Sequence, residues 1–117
     1  MHMHTYTTLQ AIKGCSPEDR KAFDRLMRIN ELGVYESLSW SADGIIQRIR
    51  ELHDGRIAVT WSFKGGRPQS VKCIVEVKNS EDKWQELGIW LDDNPVAAFI
   101  HSCSKIEKHL TGISPSS

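Results

Sequence analysis

Residues 71–91, Val71-Lys72-Cys73-Ile74-Val75-Glu76-Val77-Lys78-Asn79-Ser80-Glu81-Asp82-Lys83-Trp84-Gln85-Glu86-Leu87-Gly88-Ile89-Trp90-Leu91, decide the fold. Apart from Ile74, apolar and polar side chains alternate up to Lys78, residues 79–83 supply a polar turn, and a second apolar run starts at Trp84. Pairing Lys78 with Trp84 across that turn sets Val75 opposite Leu87, Cys73 opposite Ile89 and Val71 opposite Leu91, so one face is apolar throughout. Folding residues 57–63 back across the 64–70 loop sets Phe63 against Val71, Trp61 against Cys73, Val59 against Val75 and Ile57 against Val77. Both registers select the same buried face, and a one-residue slip would turn the whole set into water. The expectation is an antiparallel meander of strands 57–63, 71–78 and 84–91, with Trp61 inside and Trp84 and Trp90 outermost.

Helical periodicity surrounds this meander. Ser16-Pro17-Glu18-Asp19 starts a helix, with a capping serine, proline at the first position and two acids against the positive end of the dipole. Ala22, Phe23, Leu26, Met27 and Asn30 continue its spacing, and Gly33 stops it. Ser41 starts a second helix whose buried stripe is Ile45, Ile46, Ile49 and Leu52, ended by Gly55. Asp92-Asp93-Asn94-Pro95 caps a last helix carrying Val96, Phe99, Ile100, Cys103, Ile106 and Leu110, with Lys105, Lys108 and His109 near its negative end. In residues 5–13 Tyr6, Leu9 and Ile12 fit one face of a short helix while Thr5-Tyr6-Thr7-Thr8 favours a strand, the helix being preferred, and residues 34–40 read as a helical turn or an edge strand. Residues 1–4 and 113–117 read as flexible ends. The fold class expected is α+β: one domain over residues 1–117, with a three-stranded meander, a possible fourth edge strand, and two or three helices on its apolar face.

The chain of 117 residues carries three cysteines, Cys15, Cys73 and Cys103, an odd number without the close spacing of a zinc knuckle or a disulfide framework. Free buried thiols are expected. No apolar run approaches the ~20 residues of a membrane helix, and the N-terminus lacks a signal-peptide core, so no membrane partner and a cytoplasmic location are expected. Net charge is zero. Locally it is uneven: residues 41–78 hold seven basic against four acidic side chains, and residues 79–94 hold one basic against five acidic. Such a chain has no global attraction for nucleic acid, but its middle has a local one.

Enzyme motifs are missing where they would be diagnostic. The glycines of Lys64-Gly65-Gly66-Arg67-Pro68 join two strands rather than opening a helix, which excludes a P-loop. Cys103 lies on the apolar stripe, and His101 sits two positions away on another side of the helix, so an inert thiol is the expectation. Asp92 and Asp93 stand where capping acids stand. Met1-His2-Met3-His4 has the thioethers and imidazoles that suit copper, or is a frayed end. No catalytic residue, metal ligand or cofactor is assigned.

Residues 17–72 resemble the winged-helix arrangement: a helix, a connector, a second helix ending in Arg50-Glu51-Leu52-His53-Asp54-Gly55, a strand, and the basic loop Lys64-Gly65-Gly66-Arg67 as the wing. The resemblance is topological and covers about half the chain. It implies that Gln47, Arg48 and Arg50 face bases or phosphates while Lys64 and Arg67 contact the adjacent backbone, with DNA favoured over RNA. The chain departs from that pattern in placing Glu51 and Asp54 on the proposed recognition helix and in its long 33–40 connector. The bland alternative is that these arginines form the solvated face of an amphipathic helix.

The outward face of the meander is a second candidate. The in-phase register puts Lys72 opposite Trp90 and Lys78 opposite Trp84, with Ile74 diagonal to Trp90. Tryptophans on a solvent face mark binding hot spots, a dimer interface or base-stacking platforms. Alternatively they lie under lysine stems. The leading expectation is a small non-enzymatic regulator that binds nucleic acid. The runner-up is a protein-binding inhibitor or adaptor, of the anti-CRISPR kind that phages and mobile elements direct against host defence proteins, acting through Lys72, Ile74, Trp84 and Trp90 or the acidic turn.

Overall fold

A computed structural model of the chain describes residues 11–29, 40–64 and 70–111. In chain order the elements are helix α1 (Pro17–Leu26), helix α2 (Ala42–Leu52), strands β1 (Ile57–Lys64), β2 (Ser70–Lys78) and β3 (Trp84–Asp92), and helix α3 (Pro95–Thr111). The strands form one antiparallel sheet in the order β1-β2-β3, so the chain has the expected α+β architecture. The expected flexible ends, most of the 5–13 helix, the 34–39 connector with its possible edge strand, and the centre of the wing loop lie outside the described residues. Ala11 and Ile12 are helical.

The β1–β2 register matches the hydrophobic pattern: Ile57 pairs with Val77, Val59 with Val75, Trp61 with Cys73 and Phe63 with Val71. Val71, Cys73, Val75 and Val77 are at most 1% exposed. The β2–β3 register begins as expected, with Lys78 opposite Trp84, Val77 opposite Gln85 and Glu76 opposite Glu86. It then shifts. A bulge leaves Leu87 as an extra residue, so Val75 pairs with Gly88, Ile74 with Ile89, Cys73 with Trp90 and Lys72 with Leu91. Everything after the bulge changes face, and Trp90 turns inward while Ile89 and Leu91 turn outward.

Packing explains why the bulge wins over the in-phase register. Trp90 shares its face with Gly88, and a Cβ at Gly88 would come within 2.7 Å of the indole, so the glycine leaves room for the ring. The indole is partly buried against the core, with the Lys105 ammonium of α3 5.8 Å from its centroid. Asp92 follows two positions on, beside the start of α3. Its Oδ1 accepts from the Asn94 amide (2.9 Å), and Asn94 Oδ1 in turn accepts from the amides of Val96 (2.9 Å) and Ala97 (3.3 Å), capping that helix.

The core lies between the sheet's inner face and the helices. Val96, Phe99, Ile100, Cys103 and Ile106 of α3 are fully enclosed, as are Phe23 and Ala22 of α1 and Ile45 and Ile49 of α2. Phe99 meets Phe23 edge to face (6.0 Å), and Phe23 meets Trp40 likewise (6.3 Å), so one aromatic chain runs from α3 through α1 towards the start of α2. Trp61, at the rim of the core, donates its indole N–H to the Pro95 carbonyl (2.8 Å) and ties β1 to α3. Helix α1 stops earlier than its apolar spacing predicts. Met27 is its cap and Arg28 takes φ 51°, well before Gly33.

Candidate interaction surface

The early end of α1 determines what Arg48 does. The last carbonyls of a helix lack intrahelical donors, and here α2 supplies them: Arg48 Nε donates to the Met27 carbonyl (3.0 Å), its Nη2 reaches the Arg28 carbonyl (3.5 Å), and His53 Nε2 donates to the Leu26 carbonyl (3.1 Å). The Arg48 guanidinium also lies over Trp40, 5.8 Å from the ring centroid. Arg48 therefore caps a neighbouring helix instead of standing free for a phosphate or base. Gln47 leans on Glu51 (3.5 Å) along the exposed face of α2, and Arg50 is exposed. Arg67 lies outside the described residues, and Lys64 is paired in the β1–β2 ladder through its backbone. Of the five residues that the winged-helix likeness assigns to nucleic acid, one is structurally committed, and no described contact brings the other four together.

Arg48→Ala is expected to lower the free energy of unfolding by about 1–2 kcal/mol, because it strips charge-assisted bonds from two carbonyls. Arg48→Lys should recover only part, since an ammonium does not fork. Urea unfolding of the three proteins checks this.

The sheet face turned away from the helices carries Lys72, Ile74, Glu76 and Lys78 on β2 and Trp84, Glu86, Ile89 and Leu91 on β3. Three large apolar side chains stand in water there: Trp84 at 46%, Ile89 at 47% and Leu91 at 60% exposure. Ile74, half-buried, pairs directly with Ile89. Trp84 is outward as expected, and the Lys78 ammonium sits 5.3 Å from its centroid while also reaching Asp82 (3.6 Å). Trp90 does not belong to this surface. The bulge sends it to the helix side, which corrects the outward position that strict alternation assigned to it. Ile89 and Leu91 take its place, and the pattern missed them because it assigned both to the core. Gly88 was the available signal, since a glycine inside a strand often marks a bulge.

Other chemistry-bearing groups are structurally occupied. His101 Nε2 donates to Asp92 Oδ2 (3.0 Å), and its Nδ1 lies 3.8 Å from Asp19 Oδ2, so one imidazole on α3 faces acids from β3 and α1. Burial, then the charges of Asp19 and Asp92, push the nearby Cys15 thiol up to about 11. Burial alone pushes Cys73 to about 12, and Cys103, fully enclosed, is raised well above the ordinary thiol value. At neutral pH all three stay protonated, the opposite of an activated nucleophile. Arg25 forks onto Glu107 (2.6 and 2.7 Å) and holds that carboxyl below its usual range. Among the described residues no group of three or more His, Cys, Asp or Glu side chains could hold a metal ion, and no helix is long and apolar enough to cross a membrane. No known protein family, curated protein or solved structure matches the chain.

Proposed function

We propose that the chain is a small non-enzymatic protein-binding module, an inhibitor or adaptor, that engages its partner through the outer face of the sheet. The observation that carries this reading is the exposed set Trp84, Ile89 and Leu91 on a sheet face that none of the described helices covers. Trp84 on one side of the Glu76–Glu86 pair and Ile74, Ile89 and Leu91 on the other are residue types of an interface core, and Lys72 and Lys78 at the two ends are those of a rim. A sheet also holds such side chains rigidly, so little ordering entropy is lost on binding. Nucleic acid suits this surface less well, because Glu76 and Glu86 lie side by side in its middle and repel phosphate. The helix-borne alternative is weakened by the engagement of Arg48 with α1.

The test compares the unaltered chain with Ile89→Ser/Leu91→Ser for retention of an identified protein partner and of labelled DNA and RNA oligonucleotides, across a salt series. The expected result is a protein interaction that varies little with salt and weakens roughly tenfold or more in the double variant, with thermal stability unchanged. Oligonucleotide binding that falls steeply with salt, is indifferent to the double variant and drops on Arg50→Ala would overturn the proposal in favour of the winged-helix reading.

A further inference from the structure

The centre of the outer face holds a charge arrangement that the apolar patch does not explain. Glu76 and Glu86 are direct cross-strand partners, and like charges placed so destabilise a sheet. Among the described residues neither carboxylate has an ion pair or side-chain hydrogen bond. The nearest cation along β2, Lys78, is engaged with Asp82 and the Trp84 ring. On one side of the two acids stand Lys78 and Trp84, and on the other the Ile74–Ile89 pair, followed by Lys72 opposite Leu91. Two adjacent carboxylates bordered by an indole and aliphatic side chains offer a guanidinium both of its preferences, bidentate acceptors and a ring to stack on.

A second copy of this chain does not satisfy the arrangement. Because β2 is the central strand, a face-to-face dimer about an axis parallel to the strands lays Glu76 on Glu76 and Lys72 on Lys72. An axis across the strands over Val75 lays Lys72 on Lys78 and Ile74 on Glu76, and one over Ile74 pairs Lys72 with Glu76 but lays Glu86 on Leu91. Each brings like charges together or sets a carboxylate on an aliphatic side chain, and a two-fold interface must be self-complementary.

We infer that the partner is a different protein, which presents an arginine flanked by apolar side chains, as in a basic amphipathic helix or strand, and that this arginine seats between Glu76 and Glu86 beside Trp84. This inference rests on the sheet-face reading proposed above and specifies the chemistry of what binds there. Binding would relieve the repulsion between the two acids, so the pair is an element of specificity: neutral and acidic segments of equal hydrophobicity leave it uncompensated.

The experiment uses the full-length chain, immobilised and panned against a displayed library of random peptides. Each enriched peptide is then measured against the unaltered chain, Ile89→Ser/Leu91→Ser and Glu76→Gln/Glu86→Gln. The expected result is that peptides lost on the first double variant carry arginine or lysine between apolar residues. These should weaken at least about tenfold on the second variant and on replacement of that arginine by citrulline. The melting temperature of Glu76→Gln/Glu86→Gln should equal or exceed that of the unaltered chain; a clear fall would mean that the fold itself uses the carboxylates, and would overturn the inference. Face-dependent peptides that lack a cation, or that bind the glutamine variant equally well, overturn the arginine seat while leaving the docking face standing. Recovery of no peptide, or only of peptides indifferent to Ile89→Ser/Leu91→Ser, overturns both.

Discussion

Trp90→Ala is expected to lower the free energy of unfolding by about 2–3 kcal/mol, whereas Leu91→Ser should change it by less than about 0.5 kcal/mol. Urea denaturation of the two variants beside the unaltered chain measures both. Trp90 is the half-buried residue: it pairs with Cys73, covers Gly88, leans on the core and receives Lys105 from α3. Its removal opens a gap against α3 and uncovers the glycine backbone, but part of the indole already meets water, so the cost stays below that of a fully enclosed tryptophan. Leu91 is 60% exposed and touches little that its loss would disturb. In the sheet without the bulge the two effects would be exchanged, with Leu91 buried against Val71 and Trp90 in solvent. The pair of measurements therefore tests which side chains the outer face presents, and with them the proposed function.

Phe99→Ala should have a larger effect, about 3–5 kcal/mol, a large share of the total stability of a domain of this size. The ring is fully enclosed and stands edge to face with Phe23, which itself meets Trp40. Truncation removes one of the apolar contacts that hold α1 onto α3, which act together with the Arg25–Glu107 ion pair, the Ser104–Glu18 hydrogen bond and the Arg48 and His53 bonds at the end of α1. Because Arg48 and Phe99 act on the same helix, Arg48→Ala/Phe99→Ala should cost less than the sum of the single changes. The double-mutant cycle, measured in urea, reads that coupling directly.

The two sheet registers show where local pattern suffices. Between β1 and β2 every inward position is apolar and every outward one except Ile74 is polar or small, so only one phase buries the hydrophobic set, and the observed ladder is the one that alternation requires. At the end of β3 three apolar residues, Ile89, Trp90 and Leu91, stand in succession. Either phase then buries hydrophobic surface, and periodicity has nothing to choose with. The choice falls to distant groups: the space above Gly88, Lys105 on α3, and the capping position of Asp92. Arg48 is a parallel case. Its place outside the apolar stripe of α2 was plain from its spacing, but its partners are carbonyls exposed by the early end of α1, twenty or more residues away in sequence.

From the sequence alone come the α+β class, the order of the strands, the full β1–β2 pairing, the first rungs of the second hairpin, and the helix starts at Ser16, Ser41 and Asn94. These are set by side-chain alternation and by caps within a few residues of what they cap, so neighbouring positions suffice to specify them. The tertiary structure alone decided which aromatic faces water, which arginine is spent on another helix, and where two glutamates meet across neighbouring strands. Those outcomes depend on contacts between chain segments remote in sequence, whose competing free energies have no counterpart in local pattern.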